Sequence, residues 1–199
     1  AYEGMKLQDQ DVVTVSDPGS VVLKLDDDKY VYLESGAEIK ITASGRSTST
    51  KTNIELLKGS MSSVIEKKLG ADENFSVTVD NISMVVRGTI FRICLVSNEN
   101  GDTTVTVQTI EGEVAIDTGN DTQSILSSGF QDVILLTDAG GTFESINTPI
   151  EYNDVPSDTL QWIQEALQDK LNTATDPEEI NLLNQMIAVV RTDLPTAVP

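Results

Sequence analysis

Met84-Val85-Val86-Arg87-Gly88-Thr89-Ile90-Phe91-Arg92-Ile93-Cys94-Leu95-Val96 is the longest dense run of β-branched and aromatic residues in the chain. Two alternating sets are both largely apolar: Val85, Phe91, Ile93 and Leu95 on one side, Val86, Ile90, Cys94 and Val96 on the other. A strand apolar on both faces is covered on both faces. Gly88 breaks the alternation where two arginines enter, and glycine inside a strand pattern marks a bulge or a close backbone approach. Residues 84–96 therefore read as one central strand with a kink at Gly88. An arginine in an apolar strand must reach outward or meet a buried acceptor. Arg87 and Arg92 are thus expected to serve an ion pair or an edge rather than a ligand.

On the N-terminal side of this run, short alternating segments recur between turn residues. Residues 1–10 are a polar, poorly ordered lead-in. Asp11–Ser16 is strand-like and Asp17-Pro18-Gly19-Ser20 is a turn. Val21–Leu25 and Lys29–Leu33 form a hairpin across Asp26-Asp27-Asp28, and Glu34–Ala37 turns the chain into Glu38–Thr42. Residues 43–52 carry no large apolar group and read as an exposed loop or hairpin tip. Asn53–Lys58 is a strand closed by Gly59-Ser60. Met61–Leu69 fits helix or strand, and Phe75–Val79 alternates as a strand.

On the C-terminal side, Asn98–Asp102 is a hairpin turn, Thr103–Ile110 alternates, Glu111-Gly112 turns, and Glu113–Ile116 is a further strand. A polar loop follows at 118–122. Ser124–Leu126, a turn through Ser127–Phe130 and a strand over Gln131–Leu136 follow in turn. Turn signals every 8–12 residues argue for an all-β architecture of many short strands. The texture changes at Pro149: Leu160, Ile163, Leu167 and Leu171 recur at helical spacing behind a Ser157 cap, and Asp176-Pro177-Glu178-Glu179 is a helix start. Two such amphipathic helices pair with each other, dock on the β-domain, or lead into a further segment. The expected organisation is an all-β domain over 1–145, a helical hairpin over 150–192 and a linker over 193–199.

Composition narrows the function. Against 13 basic residues the chain has 32 acidic ones and no histidine, a net charge of −19 in 199 residues. Such a surface repels phosphate backbones and anionic lipids, which argues against binding nucleic acid or a membrane surface directly. Without histidine there is no His-containing triad and the commonest general base and zinc ligand are missing. Cys94 has no partner for an intramolecular disulfide and reads as a buried small hydrophobe. Asp26-Asp27-Asp28 matches no calcium loop and reads as a solvated hairpin tip, and Asn98–Asp102 lacks the flanking helices and later glutamate of an EF-hand. Lys67-Lys68 reads as a solvated face. No phosphate loop, dinucleotide fingerprint or metal-ligand spacing is present, so no enzyme, metal or cofactor is expected. No run approaches the roughly 18 apolar residues of a membrane span. The start at Ala1-Tyr2-Glu3 and the end at Leu194–Pro199 predict a processed or excised fragment whose flanks hold a targeting segment.

Beyond these readings, the motif order from residue 12 to about residue 135 resembles the FecR family. The carrying segments are Pro18-Gly19-Ser20 before Val21–Leu25, Tyr30–Ile39, Ile54-Glu55-Leu56-Leu57-Lys58-Gly59-Ser60 and Phe75–Val79. They continue in Val86-Arg87-Gly88-Thr89-Ile90-Phe91-Arg92-Ile93, in Val105–Val114 and in Ser124–Gly129. The resemblance implies a β-roll, β-solenoid or sandwich outside a membrane, with Arg87, Gly88, Thr89, Phe91, Gly112 and Gly129 as motif residues that maintain the fold. It also implies a protein partner, since the best understood members are anti-sigma regulators relaying a signal across a membrane. The expected function is a non-enzymatic extracytoplasmic binding or signal-sensing module acting through protein–protein contact. The alternatives are a cell-surface structural or glycan-binding module, which needs exposed aromatics such as Tyr2, Tyr30, Tyr32 and Tyr152 on one face, and a hydrolase built on paired carboxylates.

Overall fold

The run around Gly88 is two strands rather than one. In the computed structural model, which describes residues 2–46, 49–70, 73–86, 88–99, 101–119, 123–136 and 144–193, strand ends at Val86 and resumes at Ile90. Arg87, Asn100, loop residues 120–122 and the linker residues 194–199 lie outside the described residues. The first half of the chain supplies β1 (Val12–Thr14), β2 (Val21–Asp26), β3 (Lys29–Leu33), β4 (Glu38–Arg46), β5 (Ser49–Ile65) and β6 (Asn74–Val79). The second supplies β7 (Ile82–Val86), β8 (Ile90–Ser97), β9 (Thr103–Glu111), β10 (Glu113–Asp117), β11 (Gln123–Ser127), β12 (Phe130–Leu136) and β13 (Glu144–Pro149), then helices α1 (Ser157–Thr173) and α2 (Pro177–Asp193).

These strands form one sheet folded on itself into a nearly closed barrel of two layers. One layer runs β1-β4-β5-β6-β7-β10-β11, the other β2-β3-β5-β8-β9-β12-β13. Strand β5 belongs to both. Its first part pairs with β4 and, in parallel, with β6, while its last residues from Gly59 onward pair with β3 and β8. At the change of layer Gly59 has φ +76°, and a β-carbon there would lie 2.9 Å from the Ala37 Cα. Gly59-Ser60 is therefore a corner within a strand and not its end, and Met61–Ile65 is strand rather than helix. A Gly-Ser pair after an alternating run has the composition of a turn, which is why local pattern misplaces it.

Between the layers Leu33, Ile39, Ile54, Met61, Phe75, Val77, Met84, Phe91, Ile93, Val107, Val114 and Ile134 form the main core. Phe75 of one layer meets Phe91 of the other edge to face at 6.4 Å between ring centroids. Such a pair contributes about 0.5–1.5 kcal/mol beyond its buried area. A second apolar cluster lies on the outer face of the second layer, where Val64, Ile90 and Ile110 meet Leu160, Ile163 and Leu167 of α1 and Leu183, Ile187 and Val190 of α2. The helices thus pair with each other and also dock on the sheet. Ile90 faces the helices and Phe91 the core, which accounts for the double apolar pattern; beyond the helices Val96 is 57% exposed.

Smaller expectations also change. The lead-in is tied down, with Gln10 N donating to Ile41 O at 2.8 Å and Ala43 N to the Asp9 carboxylate at 2.9 Å. Ser157 makes no capping hydrogen bond, since Pro156 holds the N-cap position of α1. Asp176 does cap α2, accepting from Glu178 N at 2.7 Å and Glu179 N at 3.3 Å. Cys94 is half-buried rather than buried.

Candidate functional site

Three of the motif glycines sit where the chain passes from one layer to the other: Gly88 between β7 and β8, Gly112 between β9 and β10, Gly129 between β11 and β12. Gly88 (φ +80°) is pressed against the next corner, so that a β-carbon would lie 3.1 Å from the Lys68 Cα. Thr89 is fully buried; its hydroxyl donates to Glu113 O at 3.1 Å and its carbonyl accepts from Ile65 N at 3.0 Å. Gly112 N donates to the Ser128 hydroxyl at 2.8 Å, which donates back to Gly112 O. Gly129 N donates to Thr109 O at 2.8 Å, and Gly129 O accepts from Ile150 N. These residues form a column of stacked corners along one side of the barrel, while Phe91 stands apart in the core.

Beside that column, on the outer face of the second layer, a row of polar side chains crosses five strands in register: Tyr32, Ser62, Arg92, Gln108 and Gln131. Arg92 is 5% exposed and makes a two-pronged pair with Glu34, Nε to Oε1 at 2.7 Å and Nη2 to Oε2 at 3.0 Å. Its third nitrogen, Nη1, donates to Gln108 Oε1 at 3.3 Å. Burial alone would weaken the proton affinity of this guanidinium, but the Glu34 hydrogen bonds and charge outweigh it and raise the pKa. Gln108 passes the chain on, donating to Gln131 Oε1 at 3.0 Å and to Glu151 O at 3.2 Å, while Glu151 N donates to the same Gln131 oxygen. The row therefore ends on the backbone of the segment that leads into α1.

The helices are fixed to this face by two further side-chain pairs. Tyr32 donates its hydroxyl to Asp158 at 2.6 Å and stacks obliquely on Trp162, and Lys170 pairs with Glu111. Burial, with the bond donated to Asp158 next, raises the Tyr32 pKa above its ordinary value. Asp26-Asp27-Asp28 is not a plain solvated tip: the side chain of Lys29 is buried, with its ammonium 2.9 Å from Asp26, 3.4 Å from Asp28 and 3.9 Å from Glu73. Only Asp27 is fully exposed. Nothing in the local pattern marks Lys29, Glu34, Gln108 or Gln131. Gln108 and Gln131 occupy positions of the alternation that read as solvent-facing, Lys29 is a charge in phase with the core residues Val31 and Leu33, and Glu34 and Arg92 are 58 residues apart.

Among the described residues no group of three or more His, Cys, Asp or Glu side chains could hold a metal ion. Arg92 and Lys29 are held in internal ion pairs. No helix among the described residues is long and apolar enough to cross a membrane.

Solved structures match this fold, and a family profile matches part of the sequence. Two crystal structures of a candidate anti-sigma factor from Parabacteroides distasonis superpose with TM-scores of 0.59 and 0.58 at 16% identity, over 77% of this chain. The chain spans 65% and 64% of the length of those structures. At that identity the likeness concerns the fold. No curated protein matches the sequence. The sequence profile of the family described as FecR protein matches residues 11–115, the segment that carries β1 to β9 and the Gly88 and Gly112 corners. The chain belongs to the FecR family.

Proposed function

We propose that this chain is a non-enzymatic, extracytoplasmic signal-sensing module that works by protein–protein contact, in a full-length protein tethered to a membrane. Membership of the FecR family supports a regulatory, signal-sensing role, and the anti-sigma description of the structural neighbours points the same way. One observation carries the contact. The four strands at the open margins of the two layers each expose an aliphatic side chain: Val12 on β1 (54%), Val22 on β2 (53%), Ile125 on β11 (56%) and Ile146 on β13 (56%). Edge strands are ordinarily blunted by charge, and an apolar one is a template for pairing with another chain. In a protein of net charge −19 such margins are conspicuous.

Aromatic placement does not favour glycan binding, since Tyr32 and Tyr152 are buried and Trp162 is packed against Tyr32. The test is genetic and uses the full-length gene. Its deletion is expected to change transcription from promoters of the partner sigma factor, and Ile125→Lys with Ile146→Lys is expected to reproduce that change with the domain still folded. Unchanged transcription in the deletion strain sinks the signalling role, and unchanged transcription in the lysine variant sinks the edge contact.

A further inference from the structure

The barrel and the helical pair have separate hydrophobic cores, divided by the second layer of the sheet. On the sheet side the outer core rests on three fully buried aliphatic side chains, Val64, Ile90 and Ile110, with Tyr30 partly buried beside them. Beside these lies the Tyr32–Trp162 ring contact. The polar part of the seam consists of the Tyr32–Asp158 and Lys170–Glu111 pairs, a bond donated by Gln108 to Glu151 O and one donated by Glu151 N to Gln131. Two hydroxyls at this seam, Ser62 on β5 and Thr159 on α1, are fully buried and lack a hydrogen-bond partner among the described residues. A buried hydroxyl without a partner opposes burial, so the seam carries a built-in term favouring separation.

We infer that α1 and α2, with the strap at residues 150–156, form a latched cover that leaves the outer face of the second layer as one unit while the barrel stays folded. The helices pack more extensively on each other, through Leu160, Ile163, Leu167, Leu183, Ile187 and Val190, than either does on the sheet, which makes them move together. Their leaving breaks no strand pairing. The barrel keeps its own core between the layers. Release uncovers Tyr30, Tyr32, Val64, Ile90 and Ile110 as a contiguous face, a conformational step of the kind by which a sensing module passes on its state. The inference rests on the sensing role only for its purpose, because the separation itself is a property of this chain alone.

Amide hydrogen exchange followed by mass spectrometry on the intact chain tests it, with Tyr32→Phe and Thr159→Val as variants. Tyr32→Phe removes one latch and keeps the ring on Trp162; Thr159→Val removes an unpartnered hydroxyl at constant shape. In the wild type, α1 and α2 are expected to exchange together and faster than β5, β8 and β9. Tyr32→Phe is expected to speed both helices about three- to tenfold, Thr159→Val to slow both, and neither to alter the barrel strands. A common exchange rate for helices and barrel in all three proteins overturns the inference, as does a response of α1 in which α2 takes no part.

Discussion

The carbonyl oxygen of Gly88 lies 2.8 Å from the position a β-carbon on Gly112 would take. The two glycines belong to successive corners of one column, Gly112 crowded by the backbone of residue 88 and Gly88 in turn by that of Lys68. Both are at positive φ, +80° and +88°. Gly112→Ala meets that backbone oxygen as well as an unfavourable φ, and is expected to lower stability by about 3 kcal/mol or more. Gly88→Val is expected to cost several times the roughly 1 kcal/mol of an ordinary substitution. Gly129 has φ +81° but no atom within 4 Å of its absent β-carbon, so Gly129→Ala should cost only about 1–2 kcal/mol. Denaturant midpoints decide it: equal losses for Gly112→Ala and Gly129→Ala would mean that crowding does not fix the corner.

Glu34 and Arg92 form a buried pair that matters more when half of it is removed than when all of it is. Arg92→Met leaves the Glu34 carboxylate without its counter-ion, and Glu34→Leu does the converse; each is expected to cost about 3–5 kcal/mol. The double variant Glu34→Leu with Arg92→Met is expected to recover much of that loss, giving a large coupling in a double-mutant cycle. Additive losses would show that the pair is not the unit.

Lys29 ties stability to alkaline pH. Burial works to lower its pKa, but the hydrogen bond and charge of Asp26 and then Asp28 outweigh burial and raise it above 10.5. A lysine with a raised folded pKa contributes stability that is whole below the unfolded value and is lost as pH climbs through the folded one. Tyr32, raised above 10.0, acts in the same direction. In a Tyr32→Phe background, Lys29→Met is therefore expected to be less stable at neutral pH and to lose less stability above pH 10.5. Urea unfolding across that range checks it, and parallel curves would count against the assignment.

Helix caps give a smaller contrast. Asp176→Ala removes the acceptor for two backbone amides at the start of α2 and is expected to cost about 1 kcal/mol, whereas Ser157→Ala, at a position that caps nothing, should leave the thermal midpoint unchanged.

Much of the barrel was legible because half-buried antiparallel strands write a period of two into the sequence, as in β9 and β10. The reading failed where a corner interrupts that period. At Gly59 the chain turns without leaving its strand, and at Gly88 it leaves one strand and enters another; glycine looks the same in both. Strand β13 went unread because Glu-Ser-Ile-Asn-Thr-Pro has one large apolar residue and ends in proline, which an edge tolerates. The polar row was invisible for a different reason. Glutamine at an outward position implies water, and only the docked helices turn that position into an interior one. Arg92 alone announced itself, as a charge within an apolar run.

A strand held in common by both layers also governs how the barrel answers force. Strand β5 has β4 and β6 beside one part and β3 and β8 beside the other, so peeling either layer away must draw out the strand that anchors its opposite. Along β5 the two layers cannot be parted without breaking pairings of a strand they share. A pull on either margin is therefore expected to reach the other through β5.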